Sequence, residues 1–146
     1  MIQYKTYKNG EALSTETENQ ILSFLFKHLD QYGDAKQDIQ KAIDYVLKRK
    51  GRQGGLLLTA TDEQKIIGAV VINQTGMEGY IPENILVYIA THNQYRGKGV
   101  GKKLMQLAVE QTEGNIALHV EPDNPAKKLY EKLGFTNKYL EMRLNK

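Results

Sequence analysis

The stretch Gln94-Tyr95-Arg96-Gly97-Lys98-Gly99-Val100-Gly101-Lys102 lies between an apolar run and an amphipathic segment. Its three glycines alternate with basic or small residues, so the backbone can turn sharply and expose successive N–H groups at the mouth of a helix. Free amides and the positive end of a helix together favour a phosphate or pyrophosphate. Lys98, Lys102 and Lys103 add charge of the matching sign. A phosphorylated ligand is the first expectation.

Glycine-rich loops are common, so spacing has to discriminate among them. The Walker pattern needs a glycine, four residues, then Gly-Lys-Ser/Thr. Here Arg96 stands five before Gly101, and Lys103 follows Lys102 where a hydroxyl is required, so that reading fails. The dinucleotide fingerprint finds Gly97 and Gly99 but meets Lys102 at its third glycine, although Glu121 lies near the expected acid. The third pattern, Gln/Arg-x-x-Gly-x-Gly/Ala, is met in full by Gln94 to Gly99.

That pattern resembles the acetyl-CoA loop of the GNAT superfamily of N-acetyltransferases, and the resemblance extends on both sides. Asn84-Ile85-Leu86-Val87-Tyr88-Ile89-Ala90-Thr91 reads as the strand that feeds the loop. Leu104, Leu107, Ala108 and Gln111 mark one face of the helix that leaves it, and Ile116 to Val120 reads as the next strand. Ala126-Lys127-Lys128-Leu129-Tyr130-Glu131-Lys132-Leu133-Gly134-Phe135 is similar to the family's second signature. Upstream, Gln64 to Ile72 resembles its hairpin strand. The likeness covers residues 60 to 135 with two motifs in the family's order.

The chain of 146 residues is expected to form a single domain over residues 1–146, large enough for a real core. No apolar run approaches a membrane span, and the N-terminus lacks the apolar core of a signal peptide. The chain has no cysteine, which removes disulfides, thiolate metal sites and a cysteine nucleophile together and fits a cytoplasmic protein. A formal charge of +3, with no basic stripe interleaved with aromatics, argues against nucleic acid as a partner. No metal-ligand cluster is visible among His28, His92 and His119.

Periodicity gives the rest of the order. Ile2 to Lys8 alternates like a strand. Thr15 with Glu18 suggests a capping box opening a helix striped by Ile21, Leu25 and Leu29. Asp34 with Gln37 suggests a second helix start, followed by Ile39, Ala42, Ile43, Val46 and Leu47 and closed by Gly51 to Gly55. Leu56–Ala60 and Lys65–Asn73 read as a hairpin about Thr61 to Gln64. The tail alternates Leu140, Met142 and Leu144, as an edge strand that pairs a homodimer or as a strand that completes the core. The predicted order is β-α-α-β-β-β-α-β-α-β, an α/β fold with a mixed sheet and helices on both faces, which is the GNAT-like three-layer arrangement.

The resemblance implies that acetyl-CoA is the co-substrate and lies where strands 85–91 and 115–121 splay. Its pantetheine arm would pair with backbone groups of Ile89, Ala90 and Thr91. Its pyrophosphate would rest on Arg96, Gly97, Lys98, Gly99, Val100, Gly101 and Lys102. Tyr130 is implied as the group facing the thioester sulfur. A tyrosine near pKa 10 facing a thiolate near 8.5 is uphill for full transfer by roughly 2 kcal/mol, so hydrogen bonding to the developing thiolate carries much of the role. The plain alternative is that Tyr130 packs with Leu129 and Leu133 in the core.

An alkylammonium must lose its proton before attack, costing about 4.6 kcal/mol at pH 7, so a base is useful. Glu83, thirteen positions before Arg96, is at the spacing of the catalytic glutamate in histone-acetylating members. His119, Glu121 or ordered water stand as alternatives. The family often carries Asn seven residues before the tyrosine. This chain has Asp123 there and Asn124 next to it, so Asp123 is expected as a helix cap and Asn124 as the pantetheine contact.

The expected activity is direct acetyl transfer from acetyl-CoA to a primary amine, on a small molecule or a peptide, in a ternary complex without a metal. Serine occurs only at Ser14 and Ser23, far from the motifs, which argues against an acetyl-enzyme. A non-catalytic acyl-CoA-binding module is the alternative. The presence of both Tyr130 and Glu83 argues against it.

Overall fold

The computed structural model describes residues Met1 to Lys146. Its centre is a hairpin of β2 (Gly55–Asp62) and β3 (Lys65–Gln74). The connecting residues Glu63 and Gln64 both take positive φ, 48° and 70°, the geometry that lets a two-residue turn follow the strand twist. β1 (Ile2–Lys8) pairs antiparallel with β2, and β4 (Asn84–Thr91) antiparallel with β3. β5 (Ile116–Leu118) pairs parallel with β4, completing the order β1-β2-β3-β4-β5.

Helices α1 (Thr15–His28) and α2 (Lys36–Val46) cover one face of the sheet. Ile21, Leu25, Ile39, Ile43 and Val46 bury there against Leu57, Val71 and Tyr88. Helices α3 (Val100–Gln111) and α4 (Ala126–Lys132) cover the other, where Val100, Leu104, Met105 and Ala108 meet Leu58, Val70, Ile72 and Leu86. Gly68 permits that contact, because a Cβ there would stand 2.6 Å from Leu104 Cδ1. No helix is long and apolar enough to cross a membrane.

Two helix starts differ from the sequence expectation. Ser14, not Thr15, caps α1, its Oγ accepting the Thr17 N–H at 3.1 Å. Glu18 is thereby released from a capping box, and its carboxylate instead accepts two hydrogen bonds from the Arg49 guanidinium at 2.6 and 2.9 Å. That ion pair between a buried carboxylate and an exposed guanidinium, with Arg49 also reaching Asp44, pins α1 to the end of α2 and holds the Glu18 carboxyl below its usual range. Asp34 does not cap α2, whose capping position is Ala35.

The final strand expected in the tail is absent. β5 offers only three residues as an edge, too short a ladder to hold a partner strand, and the tail runs without regular structure. Leu140, Met142 and Leu144 are exposed.

Candidate active site

The site begins with a fault in the sheet. Val71 pairs with Tyr88, but Ile72 pairs with Leu86, so Val87 is an extra residue in β4. The bulge inverts the strand's facing. Leu86 packs on the α3 side, while Tyr88 and Ala90 pack on the α1 side, although in a regular strand residues two apart share a face.

The same point ends the pairing on the other side. β4 and β5 are joined only at Asn84–Ile116, Ile85–Ala117 and Leu86–Leu118. From Val87 to Thr91 the edge of β4 has no strand beside it, yet its β3 side stays paired through Thr91. Ile89, Ala90 and Thr91, which the family resemblance leads one to expect beside a pantetheine arm, all lie on this bare edge. Backbone groups on such an edge want partners, so an extended ligand can take the place of a strand.

The cleft leads directly into the glycine loop. None of the six N–H groups from Gly97 to Lys102 donates a hydrogen bond within the protein. Gly97 and Gly99 take positive φ, 78° and 82°, and Gly99 is the capping residue of α3, whose first-turn amides therefore open onto the loop. The α-carbon of Gly101 faces β4, where a Cβ would stand 3.3 Å from Thr91 Oγ1. Arg96, Lys98 and Lys102 bring positive charge to the same segment, and the Lys98 ammonium lies 5.2 Å from the centre of the Tyr95 ring. The loop is pre-built by its neighbours: the Tyr95 hydroxyl donates to Asp62 at 2.6 Å, and the Gln94 N–H donates to His92 Nδ1 at 3.1 Å.

Tyr130, on α4, is 7% exposed, and its hydroxyl has no hydrogen-bond partner in the protein. Burial alone pushes its pKa up to about 12. Asn124 Oδ1 accepts the N–H of Ala126, so Asn124 rather than Asp123 supports the start of α4. Asp123 contributes its backbone carbonyl to the Tyr32 hydroxyl at 3.3 Å.

Glu83 lies at the other end of β4, just before the paired segment. Its Oε1 accepts the Asn115 N–H at 2.7 Å and its Oε2 the Gly79 N–H at 3.1 Å. These amides, Asn115 first, hold its carboxyl below the usual range. The side chain thus ties the β3–β4 loop to the start of β5. No cluster of three or more His, Asp or Glu side chains is arranged to hold a metal ion.

Sequence reasoning missed two features. The Tyr88 hydroxyl donates to Asp34 Oδ2 at 2.6 Å, joining β4 to the α1–α2 loop. His28 and His92 stack at 4.4 Å between α1 and the glycine loop. The available signals were the polar Tyr88 within an apolar strand and His92 just after it, two residues whose place near the strand end marks them as candidates to line an acceptor cleft.

Residues 53–137 match the model of the acetyltransferase (GNAT) domain. The chain belongs to the GNAT acetyltransferase family. Among curated proteins, this GNAT chain is 33% identical over 81 residues to N-alpha-acetyltransferase 30 of Schizosaccharomyces pombe. That match takes in 52% of this chain and 54% of the relative, so the chain spans about half that protein's length. Among solved structures it superposes on a ribosomal-protein-alanine N-acetyltransferase of Brucella melitensis with a TM-score of 0.68, at 15% identity over 99% of both chains. An aminoglycoside N-acetyltransferase in complex with CoA gives a TM-score of 0.70, at 15% identity over 100% of this chain and 95% of the other. At such identities the structures speak for the GNAT fold alone.

Proposed function

We propose that this protein transfers the acetyl group of acetyl-CoA to a primary amine by direct attack within a ternary complex. The observation that carries the reading is the bare edge of β4 from Val87 to Thr91, running into six unpaired amides at the start of α3. That arrangement offers an extended arm a strand's place and a pyrophosphate an anion site, in one continuous path. In this reading Ile89, Ala90 and Thr91 pair with the pantetheine. The amides of Gly97 to Lys102, with the Arg96 and Lys98 charges, hold the pyrophosphate, and the Asn124 side-chain amide nitrogen reaches the arm.

Tyr130 serves the departing sulfur. With its pKa pushed to about 12, complete proton transfer to a thiolate near 8.5 is uphill by roughly 5 kcal/mol, which supports a hydrogen-bonding role over a proton-donating one. The unpartnered hydroxyl is free to do this. The amine's proton leaves to water. Glu83 has both carboxylate oxygens committed to backbone amides that weaken it as a base, which supports an anchoring role for it.

Isothermal titration with acetyl-CoA, and with NAD as control, tests the cofactor. Thiol release on adding amines then tests transfer. Micromolar acetyl-CoA binding without NAD binding supports the reading, whereas no acetyl-CoA binding overturns it. Tight binding with no thiol release across mono-, di- and peptide amines supports a non-catalytic acyl-CoA-binding module instead.

A further inference from the structure

The α1–α2 loop bridges the two walls of the cleft. Asp34 accepts the Tyr88 hydroxyl from β4 at 2.6 Å, and Tyr32, two residues earlier, donates to the Asp123 carbonyl on the segment that follows β5. Tyr88 is 7% exposed and adjoins Ile89 at the bare edge, so it sets Asp34 one tyrosine's length from the backbone that borders the cleft. Asp34 itself is exposed, and its second oxygen, Oδ1, has no partner in the protein. No lysine or arginine neutralises it. The nearby Asp38 is paired with Lys41, and the two charges acting on the Tyr88 hydroxyl, from Asp34 and Asp38, are both negative. The basic groups of the cleft, Arg96, Lys98 and Lys102, all stand at the glycine loop.

Taking the acetyl-transfer reading as its basis, we propose that Asp34 is a specificity-determining residue that binds a second, non-reacting cationic nitrogen of the acceptor. The acceptor is then a diamine or another molecule carrying two basic nitrogens. The chemistry separates the two nitrogens. A carboxylate raises the pKa of an ammonium bound to it and keeps it protonated, and a protonated nitrogen has no lone pair with which to attack a thioester. The nitrogen at Asp34 is therefore the handle, and the free amine further along the molecule is the nucleophile. It attacks the thioester carbonyl carbon, the C–S bond breaks, the sulfur leaves as thiolate, and the nitrogen's proton passes to water.

The test compares 1,4-diaminobutane with n-butylamine, acceptors that share a four-carbon chain and differ in the second nitrogen, by steady-state thiol release at saturating acetyl-CoA. The wild-type protein is expected to favour the diamine about tenfold or more in kcat/KM, the scale of one charge-assisted hydrogen bond. Asp34→Asn keeps an oxygen for Tyr88 but removes the charge, so this preference should collapse through KM, whereas Asp34→Glu should restore part of it. Tyr88→Phe separates recognition from stapling: if Asp34 only fastens the loop, Asp34→Asn and Tyr88→Phe will lower Tm and slow both acceptors in parallel. That result overturns the proposal, as does a wild-type protein that does not prefer the diamine, or an Asn variant that keeps the preference. Failure of acetyl-CoA to bind at all is a different outcome, which removes the transfer reading and this assignment with it.

Discussion

The imidazoles of His28 and His92 stand 4.4 Å apart, centroid to centroid, their planes tilted by 37°. His28 is the last residue of α1 and also stacks on Phe24, while His92 joins β4 to the glycine loop and meets the Tyr95 ring edge-on. Desolvation lowers both pKa values, and positive charge adds to it: Lys27, Lys65 and Arg96 act on both rings. A lowered pKa means that the folded chain binds these protons less readily than the unfolded chain, whose histidines titrate near 6.5. The contribution to stability is therefore complete above about pH 6.5 and is lost as the pH falls below that value toward the folded pKa values. Thermal melts between pH 8 and pH 5 should show Tm falling on the acid side. His28→Leu keeps apolar packing against Phe24 and should flatten the fall, and equal slopes for the two proteins would exclude the histidine pair as its source.

Glu83 and Asn115 give a second expectation. The carboxylate clamps two loops through the N–H groups of Asn115 and Gly79, and a Cβ at Gly114 would stand 2.8 Å from it. Glu83→Gln leaves one oxygen to accept where two did so before, so Tm should fall. Turnover of the folded variant should stay close to wild type. A loss of about 100-fold or more, the usual contribution of a general base, would restore Glu83 to that role.

Tyr130→Phe removes a hydroxyl that has no partner in the protein, so Tm should hold or rise slightly. If that hydroxyl serves the leaving sulfur, kcat should fall by about 100-fold, the scale for removing one transition-state hydrogen-bond donor, with acetyl-CoA affinity unchanged. The raised pKa of about 12 adds a pH expectation: no alkaline loss of activity from this group up to pH 10. An unchanged kcat would leave Tyr130 as a packing residue beside Phe135.

Local features were readable from the chain, and paired ones were not. The glycine loop, the strand Asn84 to Thr91 and the helix carrying Tyr130 each announce themselves within a dozen residues, because turn chemistry and periodicity act at that range. The sequence marks Glu83 as a candidate base but does not show its bond to Asn115, 32 residues away, and Asp34 reads as a helix start because its partner Tyr88 lies 54 residues away. The bulge at Val87 leaves no mark on a run of apolar residues, although it is what turns Tyr88 toward α1. The tail misled for the complementary reason. Its alternation fits a strand, but pairing depends on an edge elsewhere, and β5 is only three residues long.

Gly99 and Gly134 allow conformational strain to be separated from ligand binding. Both take positive φ, 82° and 99°, and a Cβ on either would meet nothing within 4 Å. Alanine at either position should therefore cost a similar amount, about 1–2 kcal/mol, for holding an L-residue in the left-handed region. Gly99, however, caps α3 among the unpaired amides, where a methyl group would stand in the path of a pyrophosphate, while Gly134 follows α4. Denaturant melts should thus show comparable destabilisation, whereas titration calorimetry should show acetyl-CoA affinity falling sharply for Gly99→Ala and holding for Gly134→Ala. If affinity fell equally in both variants, strain transmitted through the fold would account for it, and the loop amides would lose their assignment as the pyrophosphate site.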